Sequence, residues 1–321
     1  MNPSTLTVQV ARKAVEALDI CTFELVDVSG KALPPFSAGS HVDVHLPNGL
    51  TRQYSLCNDP SESHRYLIGV LRDPRTRGGS EAMHERVREG DVLQISVPKN
   101  HFALAHHAER SLLLAGGIGI TPILCMAERL SIAGSPFELH YAARSQERMA
   151  FHDRIRNAPF SSKVQFHFDD GPADQKLDLA KLLSKPHDHV HLYVCGPKGF
   201  MDAVLGTARE QGWPEPQLHY EFFAADVAPT ASDGAFEVKL ASSGRVIWIP
   251  KDKTVTDALR EAGVEVPTSC EQGVCGTCIT RVLEGDCDHR DLYLSPDEQV
   301  QNDQFTPCCS RSKSPMLVLD L

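Results

Sequence analysis

Five crowded cysteines near the C-terminal end constrain this chain more than any other feature. Cys270, Cys275 and Cys278 stand in the pattern Cys-x4-Cys-x2-Cys, and Cys308 and Cys309 follow after 29 intervening residues. Cys-x4-Cys-x2-Cys with a remote fourth cysteine is the spacing that holds a plant-type [2Fe–2S] cluster. The reason is geometric: two irons and two bridging sulfides need four thiolates converging from one tight loop and one distant strand. Gly273 and Gly276 let that loop bend and turn N–H groups toward the sulfurs, which favours the added negative charge of a reduced cluster. Zinc is the alternative, but its structural sites use two close pairs, and only Cys275 and Cys278 form one here. Cys308 and Cys309 compete for the fourth ligand position. Cys287 reads as a small buried residue.

The rest of the chain reads in two further styles. Up to about residue 105, six short runs rich in Val, Ile and Leu (6–12, 21–28, 41–47, 52–57, 66–73 and 91–98) are separated by turn residues such as Asn48-Gly49 and Gly90-Asp91. That spacing predicts a small antiparallel barrel. One helix is expected over 80–90, with Ser80 as its N-cap and Gly90 beyond its end. From about residue 110, strands at 111–117, 137–144, 163–170, 190–197 and 218–223 alternate with helices at 121–134, 150–157, 177–185 and 198–212, the pattern of parallel βαβ units in an open sheet. Residues 224–235 look like a linker. Beyond it come a hairpin turned at Ser243-Gly244, a helix capped at Thr254 with Asp257 three residues on, and a closing strand at 316–321. The expected domains are 1–107, 108–224 and 236–321, with 225–235 joining the last two.

Two glycine turns suggest a nucleotide. In SLLLAGGIGITP (111–122), Gly116, Gly117 and Gly119 allow the close backbone approach a pyrophosphate needs, and a helix starting at Thr121 presents free N–H groups and its positive dipole end. Pro122 stands where a full G-x-G-x-x-G has its third glycine, so this turn alone is a weak signal. Cys195-Gly196-Pro197 ends another expected strand, and ligands of open α/β sheets bind outside the carboxyl ends of strands. On the barrel, Arg52-Gln53-Tyr54-Ser55-Leu56 places Arg52 and Tyr54 on one strand face and Ser55 on the other. Tyr54 suits a planar ring and Arg52 a phosphate. Arg77-Gly78-Gly79-Ser80 is a basic glycine turn opening into a helix, an anion-binding arrangement.

Charge and hydropathy exclude several classes. With 32 Lys and Arg against 42 Asp and Glu and no basic run, nucleic acid is not an expected partner. The N-terminus lacks a signal-peptide pattern and no apolar run approaches 18 residues, so a soluble cytoplasmic protein is expected, without a membrane partner.

The motifs together resemble the ferredoxin–NADP reductase superfamily, and more narrowly the phthalate dioxygenase reductase family, the reductase components of two-component Rieske non-haem iron oxygenases. They are R-x-Y-S at 52–55, R-G-G-S at 77–80, G-G-I-G-I-T-P at 116–122, C-G-P at 195–197, E-x-F at 221–223 and the cluster cysteines. The resemblance spans nearly the whole chain and implies a flavin-binding barrel, an NAD-binding α/β domain and a C-terminal β-grasp ferredoxin, in that order. It implies that Tyr54, Ser55 and Leu56 contact the flavin, with Ser55 near N5. Arg52, Arg77, Gly78, Gly79 and Ser80 would handle its phosphate, and Phe223 would cover the ring face where nicotinamide enters. Thr121, Cys195 and Glu221 would line the nicotinamide pocket and, with Ser55, form the catalytic set. Gly116, Gly117, Gly119, Gly196 and Pro197 would complete the nucleotide site; His219 and Phe222 are expected to be structural. Cys308 becomes the fourth cluster ligand, because Cys-x-Ser-Arg at 308–311 is similar to the end of ferredoxin modules. Cys309 is then a buried free thiol.

Electron counting supports this order of cofactors. A hydride from NADH carries two electrons, a [2Fe–2S] cluster accepts one, and a flavin placed between them converts one into the other. The resemblance implies FMN, with FAD as the alternative. NADH is expected rather than NADPH, because only Arg144 and Arg148 follow the second strand of the parallel sheet and Asp169-Asp170 follows the third. The terminal oxygenase is the expected protein partner of an otherwise monomeric reductase. Residues 234–321 carry 14 acidic and nine basic side chains, which suggests an acidic face meeting a basic one. The competing readings are a FAD-type reductase of another oxygenase system and an iron–sulfur redox sensor without turnover.

Overall fold

The computed structural model describes residues 5–74, 78–225 and 233–321. The first expected region is a seven-stranded antiparallel sheet of β1 (Thr5–Ala17), β2 (Ile20–Asp27), β3 (Ser40–His45), β4 (Thr51–Ser55), β5 (Tyr66–Leu71), β6 (Val92–Ser96) and β7 (Lys99–Asn100). Its order is β4-β3-β6-β1-β2-β5, with β7 also pairing β3. A bridge from Leu56 to Ile68 links the two end strands, and the Cys57 N–H donates to the Leu67 carbonyl at 2.9 Å, so little edge is left open. Alternating residues such as Val8, Val10, Phe23, Leu25, Val42, Val44, Tyr66 and Ile68 fill the inside. The seventh strand was not expected from sequence; two residues carry no readable period.

The helix expected over 80–90 is shorter and starts earlier, as α1 (Gly79–Glu85). Its N-cap is Gly78, in a left-handed conformation, not Ser80. Ser80 lies inside the first turn, where its hydroxyl accepts from the Asp73 N–H at 3.2 Å.

The second region is a five-stranded parallel sheet of β8 (Arg110–Gly116), β9 (Phe137–Ala143), β10 (Val164–Phe168), β11 (Val190–Cys195) and β12 (Leu218–Glu221), in the order β10-β9-β8-β11-β12. The connections are α2 (Ile120–Ile132), α3 (His152–Arg156), α4 (Leu179–Leu182) and α5 (Lys198–Glu210). The chain runs outward from β8 through β9 to β10, then returns to β11 on the other side. The direction therefore reverses between β8 and β11, where such sheets open a ligand crevice. Both glycine turns sit at that point.

The third region is a mixed sheet. It contains β13 (Phe236–Leu240), β14 (Val246–Ile249), β15 (Thr280–Glu284), β17 (Gln304–Phe305) and β19 (Met316–Leu319), in the order β14-β13-β19-β15-β17. A separate pair joins β16 (Cys287–Asp288) to β18 (Arg311–Ser312). The central pair β13–β19 is parallel and its neighbours are antiparallel, with α6 (Val255–Glu261) packed on the sheet; a further helix, α7 (Pro296–Gln301), follows the cluster loop in sequence. This is the expected β-grasp arrangement. Thr254 caps α6 by accepting the Asp257 N–H at 3.1 Å.

The chain divides into two compact units, one ending at Glu221 and the other beginning at Phe222. The barrel and the parallel sheet thus share one unit, and the cluster-bearing sheet forms the other. Most of the expected linker lies outside the described residues. Its ends belong to the second unit: the Ala225 N–H donates to the Gln272 carbonyl at 2.8 Å, and the Asp233 carboxylate takes two bonds from the Arg290 guanidinium, at 3.0 and 2.6 Å. Among the described residues no helix is long and apolar enough to cross a membrane.

Candidate active site and iron–sulfur site

The two glycine turns at the crevice fit each other so closely that side chains are excluded. A Cβ on Gly119 would lie 2.2 Å from the Cys195 carbonyl oxygen, and one on Gly196 would lie 2.8 Å from the Phe200 ring and 3.0 Å from the Gly116 Cα. Gly117 adopts a positive φ of 52° and faces open space, so its backbone is available to an approaching ligand. The helical turn begins at Gly117, as a short 3-10 segment that runs into α2, not at Thr121 as expected. Pro122 therefore falls within the first turns, where its missing N–H costs little. The Thr121 hydroxyl donates to the Ile118 carbonyl at 3.0 Å, which holds the residue inside the turn.

Three of the expected catalytic side chains form a connected group. Cys195 ends β11 and pairs in register with Glu221 at the end of β12. The Glu221 carboxylate lies 3.5 Å from the Ser55 hydroxyl on β4. These residues are 166 positions apart in sequence and meet because the barrel and the parallel sheet share a unit. Burial raises the Glu221 carboxyl to about 7, partly opposed by the Ser55 hydroxyl. Burial, reinforced by the Glu221 charge, pushes the Cys195 thiol well above its usual range, so it stays neutral. Thr121 is buried close by in the fold, its methyl 3.0 Å from where a Cβ on Gly69 of β5 would be.

Around this group, Arg52 lies across the start of α1. A Cβ on Gly79 would come within 2.7 Å of the Arg52 side chain, so a larger residue there would displace Arg52. The Asn48 amide donates to the Gly78 carbonyl at 3.0 Å, tying that turn to the β3–β4 loop. Tyr54 packs against the barrel core, and burial raises its phenol. The Leu56 side chain is fully buried in that core and its N–H donates to the Ser40 carbonyl, so neither is available to a ligand. Arg77 lies outside the described residues. Phe223 belongs to the second unit and is partly exposed. His219 stacks on Tyr193 with ring centres 4.6 Å apart, and its Nε2 lies 2.7 Å from Nδ1 of His191.

In the second unit Cys270 hydrogen-bonds Cys275, while Cys308 hydrogen-bonds both Cys278 and Cys309. Four thiols from one loop and one remote turn are the donor set a [2Fe–2S] cluster takes. Gly273 and Gly276 both have positive φ, 73° and 69°. At Gly273 a Cβ would meet the Cys309 sulfur at 2.6 Å, and at Gly276 it would meet the Tyr293 ring at 2.3 Å. Cys309 is buried and engaged locally, 3.2 Å from the Thr306 hydroxyl. Cys287 is likewise buried.

Sequence reasoning did not find the segment that covers the cluster loop. Asp291, fully buried, accepts the N–H groups of Tyr293 and Leu294 at 3.2 and 2.7 Å. The Leu292 N–H donates to the Gly273 carbonyl at 2.9 Å. Leu292 and Tyr293 are left 41% and 47% exposed. An Asp followed by bulky apolar residues beside a cysteine motif was the available signal.

Residues 238–313 match the family described as the 2Fe-2S iron-sulfur cluster binding domain. The chain is 55% identical over 316 residues to a vanillate O-demethylase oxidoreductase of Pseudomonas sp. (strain HR199 / DSM 7063), covering 98% of this chain and 100% of that one. It is 41% identical over 317 residues to a phthalate dioxygenase reductase of Burkholderia cepacia, covering 98% and 97%. A solved structure of a phthalate dioxygenase reductase, described as modular and as transferring electrons from pyridine nucleotides to [2Fe-2S], superposes with a TM-score of 0.83 at 41% identity, covering 99% of this chain and 98% of that one.

Proposed function

The chain belongs to the phthalate dioxygenase reductase family, and on that basis we propose that it is the NADH-dependent reductase of an aromatic oxygenase system, carrying FMN and a [2Fe–2S] cluster and serving a terminal Rieske oxygenase. The observation that carries this reading is a likeness running the full length of the chain, through barrel, parallel sheet and cluster domain alike. Identity to vanillate O-demethylase oxidoreductases is higher than to phthalate dioxygenase reductases, which favours an oxygenase partner that removes a methyl group from an aromatic methyl ether. We place the protein in the cytoplasm, where NADH is supplied, as a monomer outside its encounters with the oxygenase.

A bound flavin would supply the conversion of a two-electron donor to a one-electron acceptor. The residues divide the remaining work. Gly116, Gly117 and Gly119 with Gly196 and Pro197 admit the nucleotide backbone. Thr121, Cys195 and Glu221 line the nicotinamide site, where Cys195 supplies an uncharged wall and Glu221 holds a proton below about pH 7. Ser55 would lie at the flavin edge, Tyr54 against its ring, and Arg52 with Gly78, Gly79, Ser80 and Arg77 at its phosphate. Cys270, Cys275, Cys278 and Cys308 hold the cluster. Leu292 and Tyr293, the exposed apolar residues bonded onto the cluster loop, form the contact through which electrons leave. Residues 292–303 add Asp297, Glu298 and Asp303 and no Lys or Arg, which suits a basic rim on the oxygenase.

The test is reconstitution. The purified protein, mixed with NADH, a vanillate-class oxygenase and vanillate, should release formaldehyde, and mass spectrometry of its extracted flavin should give FMN. A protein that binds NADH but reduces neither cytochrome c nor the oxygenase would instead be a sensor.

A further inference from the structure

Phe151 is a bulky residue held at φ 60°, ψ 16°, a left-handed conformation that such side chains rarely adopt and that surrounding structure must enforce. It is also almost completely buried. What holds it comes from the barrel, 135 residues away: the Phe151 N–H donates to the Glu16 carboxylate at 2.8 Å. Two further bonds join the same two segments. The Leu18 N–H donates to the Glu147 carbonyl at 2.8 Å, and the Arg148 guanidinium pairs with Asp19 at 2.9 Å. The tip of the β1–β2 hairpin is thus strapped to the loop that follows β9.

The ring of Phe151 carries this attachment toward the crevice. A Cβ on Gly69 would meet the methyl of Thr121 at 3.0 Å, the Phe151 ring at 3.4 Å and Ile118 at 3.5 Å. Phe151, Thr121 and Ile118 therefore converge on the one point of β5 that lacks a side chain. On the nucleotide side, Ile118 and Thr121 belong to the glycine turn; on the barrel side, β5 links to β4 through the Leu56–Ile68 bridge, next to Ser55. The Arg154 guanidinium closes the other side of the ring, 5.8 Å from its centre, and is itself held by Glu128 at 2.6 Å.

We propose that Glu16 and Phe151 form a latch that fixes the parallel sheet against the barrel, so that the Gly117–Thr121 turn is held at the distance from Ser55 that hydride transfer needs. The proposal rests on the reductase function above. Glu16 and Phe151 are positioning residues, acting through Thr121 and Ile118. Because displacement by about 1 Å can cost roughly a hundredfold in rate, partial loosening should be visible.

The test compares Glu16→Ala with Glu16→Gln in the full-length protein. Glu16→Ala removes the acceptor; Glu16→Gln keeps an amide oxygen for the Phe151 N–H. Glu16→Ala should lower the limiting rate of flavin reduction at saturating NADH about tenfold, with flavin and iron content unchanged. It should also speed amide hydrogen exchange across both 146–152 and 117–124. Glu16→Gln should restore most of the rate and the protection. Wild-type rate and exchange in Glu16→Ala would overturn the latch, as would faster exchange confined to 146–152. If Glu16→Ala does not fold, Arg148→Ala cuts the exposed tie alone and should move both readouts the same way, by two- to threefold; no change in either would be equally fatal. Exchange needs no turnover, so a wild-type protein inert to NADH would refute the function while exchange still decided the latch.

Discussion

At Glu221 the needs of the site oppose those of the fold. Its carboxyl titrates near 7 in the folded chain and in the ordinary carboxylate range when unfolded. The folded state therefore binds this proton more tightly. Stability is undiminished below about pH 4.5, falls as pH rises toward 7, and is level above that. At about 1.4 kcal/mol per pH unit, the rise from 4.5 to about 7 costs roughly 3 kcal/mol at pH 8. Glu221→Gln should accordingly raise the melting temperature at pH 8 and leave it nearly unchanged at pH 4; an equal shift at both would mean the carboxyl is not the cause. Single residues were unevenly legible. The cysteine spacing identified its own chemistry. Arg52, Tyr54 and Ser55 were readable as a strand with alternating faces, but nothing local marked Glu221, which became a candidate only through the family resemblance. Glu16 and Phe151 gave no signal, because their significance lies in a bond between segments 135 positions apart.

Adjacent cysteines show what an element decides. Cys308 and Cys309 follow β17 on one turn, and their chemistry is identical. The turn brings the first to Cys278, whereas the second bonds Thr306 and Ser310 with its sulfur packed beneath Gly273 of the cluster loop. Cys308→Ser should therefore abolish the reddish-brown absorption of the cluster, while Cys309→Ser should keep it; the opposite pattern would exchange their roles. The other elements follow the same logic. The long periodic segments were readable, including α2, α5 and the five parallel strands. Several short ones were not, although α3 and α4 were expected near where they lie. The strand β15 was missed, and so was α7, although Ser295 and Glu298 form a full capping box. A two- to six-residue element has too few positions to establish a period, and the fold stabilises it through its neighbours. The start of α1 was misread for a related reason. Ser80 is a good N-cap by type, but Gly78 reaches a left-handed φ of 87° that serine cannot adopt cheaply, and the helix starts there.

At the scale of the molecule, charge and exposed apolar surface lie on the same short stretch of the cluster unit. If Leu292 and Tyr293 meet the oxygenase inside an acidic rim, rapid-mixing measurements should show its reduction slowing as salt rises from about 20 to 500 mM. Tyr293→Ala should slow it further while cytochrome c reduction stays near wild type. A rate indifferent to salt would rule out the charged rim. The amino-acid sequence by itself determined three kinds of layer, their order along the chain and the cluster chemistry, because periodicity, glycine turns and ligand spacing act over a few residues. Only the tertiary structure decided which of those residues share a site. Ser55 meets Glu221, Gly119 meets Cys195, and Glu16 holds Phe151 because packing brings distant segments together, and that is set by the shape of whole surfaces, which no local pattern encodes.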